Sequence, residues 1–162
     1  LLLLDEPLSN LDAKLRLELR KEIKAIQREF NITTIFVTHD QEEAFSIADE
    51  IMLMNKGELI QFSKPRELYE NPATKFSLEF IGSVNYDEKN NRFSRPEDVY
   101  FDELGEEMKV LDCSFKGQTI EYTLLTSEGE TIRMAILNKK QEIFVGDTVR
   151  AVVQWSSLDK IV

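Results

Sequence analysis

One change of rhythm governs this sequence of 162 residues. Up to Gly82 the apolar residues come as unbroken runs or at helical spacing, and beyond Pro96 they come at every second position. A helix repeats every 3.6 residues and a strand every 2, so neither pattern can be laid on the other. The chain therefore reads as an α/β part over residues 1–82 followed by an all-β part over 83–162, with residues 85–95 as a polar linker or loop.

Within the first part, residues 1–4 are four consecutive leucines, a run without alternation that suits a strand buried on both faces of a parallel sheet. Pro7 stops it, and Ser9, Asn10 and Asp12 are all N-cap residues. Leu11, Leu15, Leu19, Ile23, Ile26 and Phe30 then follow at spacings of 4, 4, 4, 3 and 4, one apolar stripe of a helix whose other face is Lys, Arg and Glu. Asn31 suits a left-handed helix end. Residues 33–38 are rich in β-branched side chains and predict a second parallel strand. Asp40 can cap a short helix over 41–48. Asn55-Lys56-Gly57 joins strands 51–54 and 58–62 as a hairpin. Two short helices are expected over 66–70 and 74–81, with Gly82 closing the second.

In the second part, Ile120, Tyr122 and Leu124 alternate, as do Ile132, Met134 and Ile136, and Val149, Ala151, Val153 and Trp155. Turn signals separate them at Lys116-Gly117, Glu128-Gly129 and Gly146-Asp147. Short strands with regular turns predict a small β-barrel or sandwich. Cys113, between Leu111 and Phe115, reads as a buried thiol, and Trp155 as a core residue.

Composition removes several classes of function. The formal net charge is -10, and each part carries 10 basic and 15 acidic residues. That balance repels polyanions and disfavours nucleic acid as a partner. No apolar run approaches the roughly 20 residues needed to span a bilayer. A single cysteine excludes an internal disulfide and a cysteine-built metal site, and the composition suits a reduced, cytosolic setting. The chain opens on Leu1, inside what reads as a strand. A fragment is expected, the alternative being a processed N-terminus.

Asp5 and Glu6 stand at the carboxyl end of the leucine strand, the edge where ligands bind in open parallel sheets. Two adjacent carboxylates there can hold Mg²⁺ and orient or deprotonate a water; they can equally begin a loop and cap the next helix. His39, the single histidine, ends the second strand. If the two strands are neighbours, His39 and Glu6 share one edge, and the histidine can donate to a phosphate oxygen. Capping ahead of residue 41 is its other reading.

Taken together, Leu-Leu-Leu-Leu-Asp-Glu-Pro at 1–7, Leu-Ser-Asn-Leu-Asp at 8–12 and Thr-His-Asp-Gln-Glu-Glu-Ala at 38–44 resemble three ordered motifs of ABC-transporter ATPase subunits: the Walker B strand, the D-loop and the switch-histidine loop. Met54-Asn55-Lys56-Gly57, Leu68-Tyr69-Glu70-Asn71-Pro72 and Phe80-Ile81-Gly82 continue the likeness to the importer branch. Ser94-Arg95-Pro96-Glu97-Asp98 resembles a step of its accessory domain, an oligonucleotide-fold-like barrel known as TOBE. The fold implied is the C-terminal part of a P-loop ATPase domain followed by that barrel.

By that resemblance, ATP and Mg²⁺ are the cofactors. Asp5 helps to hold Mg²⁺, Glu6 is the base or water-orienting carboxylate, and His39 contacts the γ-phosphate. Ser9, Asn10 and Asp12 line the contact with a second ATPase subunit in a homodimer. Transmembrane permease subunits are the further partners, and the protein sits peripherally on the cytoplasmic face of the membrane. Lys116-Gly117-Gln118-Thr119 followed by Glu121-Tyr122 points to polyamine and ferric-iron importers, with spermidine or putrescine as the expected solute.

None of the six glycines is followed by lysine, and no Gly-Gly pair occurs, so neither a G-x-x-x-x-G-K-[ST] loop nor the family's Leu-Ser-Gly-Gly-Gln signature lies in these residues. Backbone amides and the loop lysine supply most phosphate affinity. The chain alone is therefore expected neither to bind nor to hydrolyse ATP appreciably. Residues 1–82 are expected to be marginal and prone to self-association through an apolar edge. The competing reading is a non-catalytic, ligand-sensing β module carried on a dimerisation scaffold.

Overall fold

The computed structural model describes residues 1–139 and 142–161, which divide into two compact units, Leu1–Ile81 and Gly82–Val162. In the first unit, strand β1 (Leu2–Asp5) pairs in parallel with β2 (Thr34–Val37), in register from Leu2 opposite Thr34 to Asp5 opposite Val37. Helix α1 (Ala13–Phe30) connects them, as a parallel crossover requires. Asp12 caps it by accepting from the Lys14 and Leu15 amides, and Asn31 closes it at φ 49°. Helix α2 (Gln41–Ile47) starts from Asp40, whose side chain accepts from the Glu43 amide.

A hairpin follows, β3 (Ile51–Asn55) and β4 (Glu58–Ser63). Its two turn residues, Lys56 and Gly57, both have positive φ, the combination that matches strand twist. Helices α3 (Pro65–Glu70) and α4 (Lys75–Phe80) complete the unit, the second opened by a capping box between Thr74 and Ser77. Leu53, Leu68 and Ile81 form its small apolar core, with Phe45, Ile51, Ile60, Tyr69 and Phe76 against them.

The burial that an unbroken leucine run suits is absent, and the exposed apolar edge expected of residues 1–82 is present. The leucine strand is not buried: Leu3 is 66% exposed, and Leu1, Ile35 and Val37 also face solvent. Nor does the apolar stripe of α1 face a core. Phe30 is 63% exposed, Leu15 and Ile26 are exposed, and the buried residue of the helix is Arg20. Periodicity marks which face is apolar. Among the described residues β1 has β2 as its strand partner and no further strand, so the apolar faces find no cover. None of the described helices is long and apolar enough to cross a membrane.

The second unit holds two antiparallel sheets. One is ordered β10-β7-β8-β9, from β7 (Val99–Phe115), β8 (Thr119–Leu125), β9 (Thr131–Leu137) and β10 (Thr148–Val153). The other is ordered β11-β6-β5, from β5 (Asn85–Asp87), β6 (Arg92–Ser94) and β11 (Ser156–Ser157). Both sheets are open among the described residues; of the small barrel or sandwich expected from sequence, no closed barrel is found there. The core of the four-stranded sheet is Val99, Met108, Val110, Ile120, Tyr122, Leu124, Ile132, Met134 and Ala151.

Residues 85–95 are the second correction. They form β5 and β6 and bury Asn85, Asp87, Phe93, Ser94 and Arg95. Polar composition misleads because the buried Asn85 and Asp87 find partners. Asn85 exchanges two hydrogen bonds of 2.8 Å with the backbone of Arg133, acting as an extra rung beside β9. Asp87 accepts from Arg92 Nε at 2.7 Å and from the Asn90 amide.

Bulges explain the remaining differences. Register shifts between Val110 and Asp112, so Val110 is buried, Leu111 is exposed and Cys113 is only half-buried against the core. Opposite β10, Glu107 faces Arg150 but Phe101 faces Ala151, which throws residues 102–106 out of the ladder. Gly105 permits the close return: a Cβ there would lie 2.4 Å from the Ala151 carbonyl carbon. Trp155 is half-buried against the core and carries the Arg92 guanidinium 4.8 Å above its ring.

Candidate active site

Parallel pairing brings the carboxyl ends of β1 and β2 to one edge. The Glu6 amide continues the ladder by donating to the Val37 carbonyl at 2.9 Å. Glu6 itself turns into the left-handed region, φ 43°, which costs a non-glycine residue on the order of 1 kcal/mol and marks the bend as constrained. His39 lies two residues past the end of β2. Its Nδ1 donates to Glu6 Oε1 at 2.9 Å, so the two sequence candidates that could share an edge do so.

Both side chains are solvent-exposed. The hydrogen bond to Glu6, then the Glu6 charge, raise the His39 imidazole above its ordinary value of 6.5; Asp40 and Glu43 add to this and desolvation opposes it. With Nδ1 donating to a carboxylate, Nε2 can also donate only in the imidazolium form. The raised pKa favours that form.

The other candidates stand nearby with separate tasks. Asp5 ends β1 with its carboxylate exposed and, among the described residues, free of hydrogen-bond and ion-pair partners. No group of three or more His, Cys, Asp or Glu side chains that could hold a metal occurs among the described residues. One free carboxylate fits Mg²⁺, which takes one or two carboxylates and completes its shell with phosphate oxygens and water. Ser9 Oγ donates to the Glu6 carbonyl at 3.0 Å, bracing the bend, and Asn10 is exposed. Asp12 is occupied as the cap of α1. The structure thus joins Glu6 to His39 and ties Ser9 to the Glu6 backbone, while among the described residues the side chains of Asp5, Asn10 and Asp12 make no hydrogen bond to that pair.

Sequence reading missed the support beneath the pair. Arg16 Nη1 donates to Asp40 Oδ2 at 3.0 Å, and Arg20 Nη2 reaches the same oxygen at 3.4 Å. Arg20 also lies 3.7 Å from Glu43, which is buried and accepts from Thr38 Oγ1 at 2.7 Å. Burial pushes the Asp40 carboxyl up, but the Glu43 amide and the Arg20 and Arg16 guanidinium groups outweigh it and hold the pKa down. Arg16, Arg20 and Lys24 recur every four residues, one helical face. That spacing was the available signal, eclipsed by the apolar stripe beside it.

No protein-family model matches the chain. Similar proteins do. An Fe(3+) ions import ATP-binding protein of Escherichia coli O157:H7 is 37% identical over 157 residues, 95% of this chain and 44% of that protein. A spermidine/putrescine import ATP-binding protein of Borreliella afzelii is 46% identical over 118 residues, 73% of this chain and 33% of that protein. Its relatives are ATP-binding subunits of ABC importers. A further Fe(3+) ions import ATP-binding protein, from Pectobacterium atrosepticum, is 52% identical over 84 residues, 52% of this chain and 24% of that protein. The chain spans less than half the length of each of these relatives. Their names agree on ATP and import and differ in solute.

Proposed function

We propose that these residues are the C-terminal part of the ATPase of a bacterial importer, with β1 as its Walker B strand, residues 8–12 as its D-loop and His39 as its switch histidine. The observation that carries the reading is the Glu6–His39 pair at the carboxyl edge of a parallel strand pair. Phosphoryl transfer needs positioning and charge compensation more than covalent chemistry. Asp5 would hold Mg²⁺, which would supply neutralising charge. Glu6 uses the oxygen not bonded to His39 to orient the attacking water and take its proton. His39, held as imidazolium, donates from Nε2 to a terminal phosphate oxygen.

Ser9, Asn10 and Asp12 face a second copy of the ATPase, and the assembly acts on transmembrane permease subunits from the cytoplasmic face. The second unit serves as a TOBE-like regulatory domain. As solute we assign spermidine or putrescine, supported by residues 116–122 and by the Borreliella relative. Iron relatives match comparably, so uptake assays must carry both solutes.

The test uses the gene's complete reading frame, reconstituted with Mg-ATP. Glu6→Gln is expected to lose hydrolysis by about 10² to 10⁴ while retaining ATP binding, and His39→Ala to do likewise. Full hydrolysis in Glu6→Gln overturns the assignment. Calorimetry on the 162-residue chain itself is expected to show no Mg-ATP binding at millimolar ligand.

One observation favours the second reading, a ligand-sensing β module. The second unit has an open cavity of about 320 Å³ floored by Met108, Ile132 and Ala151 and rimmed by Glu106, Glu128 and Glu130. Saturable spermidine binding there, with no hydrolysis by the complete protein, would favour it over the ATPase.

A further inference from the structure

We propose that Arg16 and Arg20 are positioning residues for His39, acting through Asp40; this rests on the roles given above to His39 and Glu6. The side chain of His39 is exposed and, among the described residues, has one partner, Glu6. An exposed ion pair in water holds its members weakly. Something else must fix the histidine, and both of its chain neighbours are locked. The Asp40 amide donates to Thr38 Oγ1 at 3.0 Å, Thr38 Oγ1 donates to the buried Glu43, and Asp40 Oδ1 accepts from the Glu43 amide at 3.1 Å. The other oxygen of Asp40 takes both arginines.

Arg16 does more. Its Nη2 donates to the Leu11 carbonyl at 3.1 Å while Nη1 holds Asp40. One planar fork therefore spans the end of residues 8–12, the proposed contact with a second subunit, and the start of α2. Lysine cannot grip two oxygens in that geometry. A displacement of residues 8–12 is passed by this route to Asp40 and so to His39.

Stability alone is a poor account of the arrangement. Buried ion pairs are often no better than apolar packing of the same volume. Arg16 and Arg20 each leave a buried Nε without a hydrogen-bond partner, a cost that an apolar residue would not incur. Lys24, next on the same face, donates to the Ser46 carbonyl at 2.8 Å, so α1 turns a polar stripe to α2 along three turns.

His39 is the only histidine, so its imidazole signals in NMR are unambiguous and its titration can be followed in the whole chain. Glu6→Gln, which removes the bonded charge, is expected to lower the His39 pKa. Arg16→Gln and Arg20→Gln are expected to lower it as well, by letting the ring leave Glu6. Simple electrostatics gives the opposite sign, because deleting a nearby cation raises an imidazole pKa. Arg16→Lys keeps the charge and loses the fork, and is expected to fall between wild type and Arg16→Gln. Circular dichroism confirms folding; should Arg20→Gln unfold, Arg16→Gln at its more exposed site carries the test. If Glu6→Gln lowers the pKa but the arginine variants leave it unchanged or raise it, positioning is wrong and the pair stands. If Glu6→Gln leaves it unchanged, the pair is absent, and the functional reading falls with the proposal.

Discussion

The two units invert one another's interiors. In the second, strands β7 to β10 enclose Val99, Val110, Leu124 and Met134, each with essentially no exposed surface. In the first, α1 turns Arg16, Arg20 and Lys24 to its neighbour and leaves Leu15, Ile26 and Phe30 in solvent. One unit is held by apolar packing and the other, around its candidate site, by a charged network. Packing tolerates small displacement poorly but carries no direction, whereas a hydrogen-bonded network fixes the angle at which a side chain such as His39 is presented.

Truncation in the second unit gives the largest expected effect. Leu124→Ala is expected to cost about 4 kcal/mol, read by denaturant titration of Trp155 fluorescence, which reports that unit alone because Trp155 is the only tryptophan. A loss below about 1 kcal/mol would mean that this core is loosely packed.

Arg20→Ala is next, at about 3 kcal/mol, because it leaves Glu43 buried without its cation. His39 NMR signals report the first unit. A shift of the Trp155 transition instead would show that the units do not melt separately.

Asp12→Ala removes the α1 cap and is expected to cost about 1 kcal/mol by chemical denaturation. By contrast, Leu3→Ser and Phe30→Ser at exposed apolar positions are expected to change stability by less than about 0.5 kcal/mol. They should also reduce self-association, measured by sedimentation. A loss of several kcal/mol at either would mean that these faces are covered in solution.

The smallest effect is that of pH. His39 titrates above its ordinary 6.5 because of Glu6. Its contribution is therefore fully present below that value and is lost as pH rises through the folded-state pKa. Thermal melts of the first unit between about pH 5 and about pH 8 should show this decline in wild type and not in Glu6→Gln.

Much of the molecule was legible before any coordinates. The caps at Asp12 and Asp40, the left-handed Asn31 and the turn at Lys56-Gly57 are local, and each formed as read. Alternation at Ile120, Tyr122 and Leu124 marked the buried face of β8, because strand side chains can point only two ways. The exposed Leu111 was not legible. One extra residue at the bulge reverses the phase of everything that follows, and its position depends on the partner strand. Nor was the order in residues 85–95, where burial of Asn85 and Asp87 depends on partners as distant as Arg133.

The candidate site divides along the same line. Sequence by itself determined the chemical identities: two carboxylates and a histidine, each at the end of an apolar run. Tertiary structure decided that the two runs pair in parallel and in register, so that residues 33 positions apart meet at 2.9 Å. It alone decided that the charged face of α1, and not its apolar stripe, turns toward α2. A helix offers all its faces at once, and which is covered depends on what else the chain brings to it.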